Sequence, residues 1–437
     1  MNDPRDCPVS TAEPAALGHA EQALWRLVSF FGDPLADLDA ALTADPGWGL
    51  AHIMKAHFIL TLTEPGMVAD ARLALDAALP LMAHANPRER AHMEAAQRCL
   101  AGHWRGACAL WDDLLLAYPR DLLALNSAHL FDFYRGDARN LRARVARVLP
   151  GWPSDDPLYP YVLGMHAFGL EECNLYAQAE DTGRRSVDAG AKVPWAIHAV
   201  AHVMEMQGRH QEGVHWLDTR RGEWMDNGLS VHNGWHLALF HLESLDTAST
   251  LQLHDEHIGG TASQVNLQWL DGAALLWRLH LLGVDVGARW QQLASAWAQP
   301  VEHAGYYAFN DCHALLAMLG SGDMARAQAL LAQAQARAQS GQSDNRAMAQ
   351  QVGLPLMQGL LAFAQGDAAQ AIRALMPLRS VAHRFGGSHA QRDLIDQTLL
   401  CAAARAGDRA VGHALLNERL LAKRRTPLTE YWLSQVS

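Results

Sequence analysis

The chain repeats one local pattern, a turn centred on Gly followed by a helix with a small residue about five positions on. It is clearest at Gly102-His-Trp104-Arg-Gly-Ala107-Cys-Ala-Leu-Trp111, which ends at Tyr118-Pro119. Looser copies occur at Gly208-Arg-His210-Gln-Glu-Gly213, Gly322-Asp-Met324-Ala-Arg-Ala327, Gly366-Asp-Ala368-Ala-Gln-Ala371 and Gly407-Asp-Arg, and Asn174-Leu-Tyr176-Ala-Gln-Ala179 is a variant without Gly. In such a unit the Gly closes one helix, the small residue lets two helices approach, and a Pro stops the second. A helical hairpin of this kind cannot bury its own apolar face and needs a stacked neighbour. The pattern therefore predicts an all-α solenoid.

Tetratricopeptide arrays have this grammar, so the expected fold is a superhelix of antiparallel hairpins of about 34 to 47 residues each, able to close around a central pocket. A length of 437 residues exceeds the usual ~100 to 200 per globular core, which a solenoid evades. The sequence suggests a single domain over 1–437, with residues 1–15 as a flexible N-terminus and 426–437 as a tail after the break at Thr426-Pro427. Asp45-Pro46-Gly47-Trp48 and Asn86-Pro87-Arg88-Glu89 read as helix starts.

A net charge of -11 without a Lys/Arg-rich block argues against nucleic acid as a partner. No apolar run reaches the ~18 residues of a membrane span, and the first residues lack the order of a signal peptide, so a cytoplasmic protein is expected. Cys7, Cys99, Cys108, Cys173, Cys312 and Cys401 form no C-x-x-C pair, which leaves thiolate zinc and dithiol chemistry without a signal.

Histidines carry the chemical signal. His57, His92, His129, His166, His202 and His236 are separated by 35, 37, 37, 36 and 34 residues, close to the repeat period. Each falls on the first helix of a successive hairpin, as a bridge packed between repeats or as a site residue. Two members belong to i, i+4 pairs, His198 with His202 and His232 with His236, and residues four apart share one helix face. Such pairs suit acid/base work or ligand binding. They also suit a divalent metal on His198, His202, Glu205, His232 and His236, although the adjacent Glu of the His-Glu-x-x-His protease motif is missing. No cofactor is expected, with the divalent metal as the alternative.

Further polar groups lie downstream. Asp311 and His313 begin another first helix and suit an acid/base pair with Asp311 orienting His313. Gly386-Gly387-Ser388 reads as a helix start that places His389, Arg392 and Asp393 in the first turns, where Arg392 suits an anion. His254-Asp255-Glu256-His257 reads as a solvated loop. Trp235 and Tyr306 can wall a pocket.

The stretches His232-Asn-Gly-Trp-His236-Leu-Ala-Leu-Phe-His-Leu-Glu243, Tyr307-Ala-Phe-Asn-Asp311-Cys-His313 and Gly386-Gly-Ser-His389-Ala-Gln-Arg392-Asp393 resemble signature regions of the tetratricopeptide repeat protein 38 family. The resemblance runs from Ala41 to Leu420 and departs at Gly234, where that family often has a bulkier residue beside the Trp. It implies a divergent tetratricopeptide superhelix and no particular activity.

The expected function is a small-molecule enzyme or ligand-binding protein, in which a His pair serves as base and acid and Arg392 as anion clamp. Its site would comprise His202, His232, His236, Asp311 and His313 as catalytic groups, with His166, His198, Glu205, Trp235, Tyr306, His389, Arg392 and Asp393 around the ligand. Hydrolysis or elimination on a polar anionic metabolite is the most concrete form. The competing expectation is an adaptor that holds a peptide or protein partner in its concave groove.

Overall fold

The computed structural model describes residues 1–190, 192–260, 263–297 and 300–436. Among them the chain is all-helical and solenoid-like. Helices pack mainly on their sequence neighbours, and the extended structure is limited to an isolated bridge between Asn2 and Pro8. The turns follow the pattern seen in the sequence. Gly102 takes φ 79°, and in the variant without glycine Asn174 takes φ 60°, a left-handed conformation that Asn tolerates better than most residues. In the Gly-Asp turns the Asp is the N-cap of the next helix. Asp323, Asp367 and Asp408 each accept a hydrogen bond from the backbone N–H three residues on, an interaction that contributes about 1 kcal/mol.

Contacts divide the chain into two compact units where the sequence suggested one domain. The first comprises Met1–Val200 with Glu223–Leu229, and the second Ala201–Gly222 with Ser230–Ser437. The division falls inside the helix Pro194–Met206.

In the first unit, the early members of the histidine series tie hairpins together. His57 Nδ1 lies 3.0 Å from Ser127 Oγ, and His92 Nε2 lies 2.9 Å from Asp121, which also accepts from Arg88 Nε at 2.6 Å. His129 is buried edge-on against Phe168 and Trp195. These three are bridges between repeats. The N-terminal segment, expected to be flexible, packs side chains onto the first unit. Asp3, Arg5, Cys7, Val9 and Thr11 are buried, Arg5 pairs with Glu21 at 2.6 Å, and the Pro8 carbonyl accepts from Asn86 Nδ2 at 3.0 Å.

In the second unit, helices remote in sequence return to one another. Asn266–Leu281 packs on Ser230–Glu243, on Ala308–Gly320 and on His389–Ala406. Trp277 Nε1 donates to Thr398 Oγ1 at 3.0 Å. The expected C-terminal tail is a helix, Pro427–Val436, that buries Leu428, Trp432 and Val436. Ser437 lies outside the described residues.

Candidate functional site

Two helical segments of the second unit bring three imidazoles together. His202 is on Pro194–Met206, and His232 and His236 are one turn apart on Ser230–Glu243. The His236 ring centroid is 4.4 Å from that of His202 and 4.9 Å from that of His232. One ring nitrogen from each of the three lies within 4.8 Å of those of the others. His202 and His236 are fully buried, whereas the His232 side chain keeps 17% of its surface accessible to water.

Two carboxylates hold the rings from behind. Asp271 Oδ2 lies 2.9 Å from His232 Nδ1, and Glu205 Oε2 lies 2.9 Å from His236 Nδ1. Glu205 follows His202 by three residues and so shares its helix face, and Asp271 comes from the helix Asn266–Leu281. An ionised carboxylate accepts a hydrogen bond from Nδ1–H and thereby leaves the lone pair on Nε2. Burial pushes Glu205 up to about 7 and raises Asp271, while burial and the neighbouring imidazoles hold His202 and His236 well below the usual histidine range. At neutral pH those two rings are therefore neutral.

Arg278 stands two turns beyond Asp271 on the same helix, and it is only 1% exposed. Its Nη1 donates to the Ala274 carbonyl at 3.0 Å and its Nη2 to the Ala390 carbonyl at 2.7 Å, and its guanidinium lies 5.5 Å from the Trp235 ring centre. Among the described residues no carboxylate comes within the 4.0 Å of an ion pair. Burial accordingly lowers its pKa, with Asp393 and Glu205 pulling the other way. Its direct hydrogen bonds go to carbonyls, and the carboxylates that balance its charge, Asp393, Glu205 and Asp271, act from beyond ion-pair distance.

His389 and Arg392 are half-buried at the start of His389–Ala406, and both are among the electrostatic causes that depress His202. The helix start is as expected: Ser388 and Gln391 form a capping box, and a Cβ on Gly387 would meet the Phe309 ring at 2.3 Å. Arg392 donates to the Gly387 carbonyl. Asp393 pairs with Arg419, which together with Lys423 also reaches Glu243, so it belongs to a structural charge network.

Other expected site residues lie elsewhere or act differently. Asp311 does not orient His313. Its Oδ2 accepts from Gly305 N at 2.9 Å, whereas His313 Nδ1 donates to the Phe309 carbonyl at 2.8 Å, one turn back on its own helix. The two side chains leave neighbouring positions on different faces, and burial pushes Asp311 up to about 7 and His313 down to about 4. Tyr306 is half-buried beside this helix start, whose first N–H is capped by Asn345 Oδ1 at 2.7 Å. His166 belongs to the first unit and is half-buried, whereas His198 stands one turn before His202 on the same helix, packed against Phe168 and Trp195. The stretch His254-Asp255-Glu256-His257 is helical, with His254 buried and Asp255 paired with Arg289 at 2.6 Å. The Cys312 thiol is buried, and burial raises its pKa well above the ordinary value, which disfavours the thiolate that a nucleophile needs.

Sequence reasoning missed Asp271 and Arg278, both on a site-forming helix. A signal was present: the two charges flank the apolar run Ala273-Ala-Leu-Leu-Trp277 and stand seven residues apart, on one helix face. No protein-family model matches the chain.

Proposed function

We propose that the second unit is a small-molecule enzyme, a hydrolase or lyase acting on a substrate with a carboxylate or phosphate group. One observation carries the reading: a fully buried guanidinium with no carboxylate at ion-pair distance among the described residues stands on the same helix as a carboxylate that orients an imidazole of the cluster. Arg278, seated over Trp235, would hold the anionic end of the substrate. The cluster of His202, His232 and His236 would then face its reacting carbon.

In the hydrolytic form, water held at the imidazole cluster adds through its oxygen to an electrophilic carbon, and its proton leaves toward the cluster. The bond from that carbon to the leaving heteroatom breaks, and the heteroatom takes up the proton. Burial supports this reading over a peptide-binding adaptor, which needs its Asn, Lys and Arg side chains displayed to a partner. Glu205, His236 and Arg278 are instead enclosed. The resemblance to the tetratricopeptide repeat protein 38 family is compatible with either reading.

The test is a thermal-shift and turnover screen of the full chain against small carboxylates and phosphate esters. Wild-type protein is expected to be stabilised by a subset of them and to turn over at least one. Arg278→Lys, which keeps the charge but loses the planar fork, is expected to weaken binding roughly 10- to 100-fold. A folded wild-type protein that no anion stabilises would overturn the reading.

A further inference from the structure

We propose that His202, His232 and His236 bind one divalent cation, zinc by preference, with Glu205 and Asp271 as its outer carboxylates and a fourth coordination position for water. The observation is the combination of ring convergence with carboxylates on the far side of two rings. A ring nitrogen of each histidine lies within 4.8 Å of the others, and His232 and His236 each present Nδ1 to a carboxylate at 2.9 Å.

Metal-binding histidines share this arrangement. The carboxylate on one ring nitrogen fixes the tautomer and the ring plane and makes the other nitrogen a better donor. Imidazole nitrogens match the preference of zinc, and Zn–N bonds of about 2.0 to 2.1 Å would set tetrahedral nitrogens roughly 3.3 Å apart. Binding would draw the rings together from their present separation. Glu205 and Asp271, behind the rings, are the carboxylates placed to offset part of the charge of a buried dication.

Helix geometry makes the site firm. His232 and His236 are on one face at i, i+4, and Asp271 comes from a helix that packs on theirs. Of the three ligands, His232 keeps water access, which places the open position on its side of the cluster. The inference deepens the enzyme reading and rests on it for the chemistry, since a bound dication lowers the pKa of its water to about 7 and so supplies the nucleophile. Binding itself is measured without turnover.

The full chain, purified without a polyhistidine tag, is stripped with a chelator and titrated with Zn²⁺ and Co²⁺. Binding is followed by elemental analysis after dialysis and by the visible absorption of Co²⁺. One metal per chain and the intense bands of tetrahedral Co²⁺ are expected. His232→Gln should abolish those bands, and Asp271→Asn, which keeps all three ligands, should weaken binding roughly 10- to 100-fold. Circular dichroism establishes that each variant is folded, and a misfolded His232→Gln leaves Asp271→Asn to decide. A folded wild-type protein that retains no metal and gives no tetrahedral Co²⁺ spectrum overturns the proposal, as does unchanged affinity in the folded variants. Loss of metal binding with anion binding intact removes this proposal alone, and metal binding without any anion response removes the enzyme reading alone.

Discussion

At the scale of single residues, the chain places ionisable groups where their protonation must respond to burial. Asp311 is the clearest case outside the histidine cluster. Its carboxyl is enclosed and accepts one backbone N–H from Gly305, with Arg337 as the nearby positive charge, and burial pushes its pKa from 3.8 up to about 7. Between those two values the folded chain binds a proton that the unfolded chain has released. The contribution to stability is thus fully present below about pH 4 and is lost as pH rises through about 7. Asp311→Asn keeps an oxygen acceptor for Gly305 and removes this dependence. The variant should be more stable than wild type at pH 8, by on the order of 2 to 4 kcal/mol, and should lose that advantage near pH 4. Urea unfolding at the two pH values measures it, and an unchanged difference between them would refute the assignment. The histidines of the cluster were legible in the sequence because their spacing is a local, helical property. Their carboxylate partners were not, because Asp271 meets His232 across 39 residues of chain, and only tertiary packing selects that pairing.

At the scale of elements, helices and turns were legible because both follow from short-range chemistry, the Gly or Asn left-handed turn and the Asp cap. What sequence did not give was the distance between helices. Gly169, inside Tyr159–Glu172, shows the difference: a Cβ there would lie 2.6 Å from both Arg142 Cα and the Leu141 carbonyl oxygen of the neighbouring helix Ala138–Val148. Gly18, inside Pro14–Ser29, has nothing within 4 Å of the same position. Ala in place of mid-helix Gly gains roughly 0.5 to 1 kcal/mol from propensity, and overpacking against backbone costs typically 1 to 3 kcal/mol. Gly169→Ala should therefore destabilise the protein by about 1 to 2 kcal/mol, while Gly18→Ala stabilises it by about 0.5 to 1 kcal/mol. Opposite shifts of the denaturation midpoint are the expected result, and shifts of the same sign would mean that the helix pair has room to separate.

At the scale of the whole molecule, an all-helical chain was legible from its repeats, but its division into two units was not, because repeat grammar runs across the division without interruption. What makes the second unit more than a row of hairpins is closure over long sequence distance, and Glu243 is its hub. This buried carboxylate accepts from Lys423 Nζ at 2.5 Å, Thr426 Oγ1 at 2.6 Å and Arg419 Nη2 at 3.2 Å, 176 to 183 residues away. Despite burial, the charges of Lys423 and Arg419 hold its pKa below the ordinary value, so its contribution is present above about pH 4.5 and is lost on acidification. The members of the network are not equivalent. Without Glu243, the enclosed Lys423 ammonium has no carboxylate within ion-pair distance among the described residues, whereas Arg419 keeps Asp393. Without Lys423, Glu243 still keeps Arg419 and Thr426. Removing one partner of a buried pair costs about 3 to 5 kcal/mol when the other is left unpaired. Glu243→Ala is thus expected to cost about 3 to 5 kcal/mol, and Lys423→Ala distinctly less, about 1 to 2 kcal/mol for one charged hydrogen bond. Guanidinium unfolding at neutral pH reads both. Equal costs would mean that the second unit is closed by a single ion pair and not by a hub whose remaining contacts survive the loss of one arm.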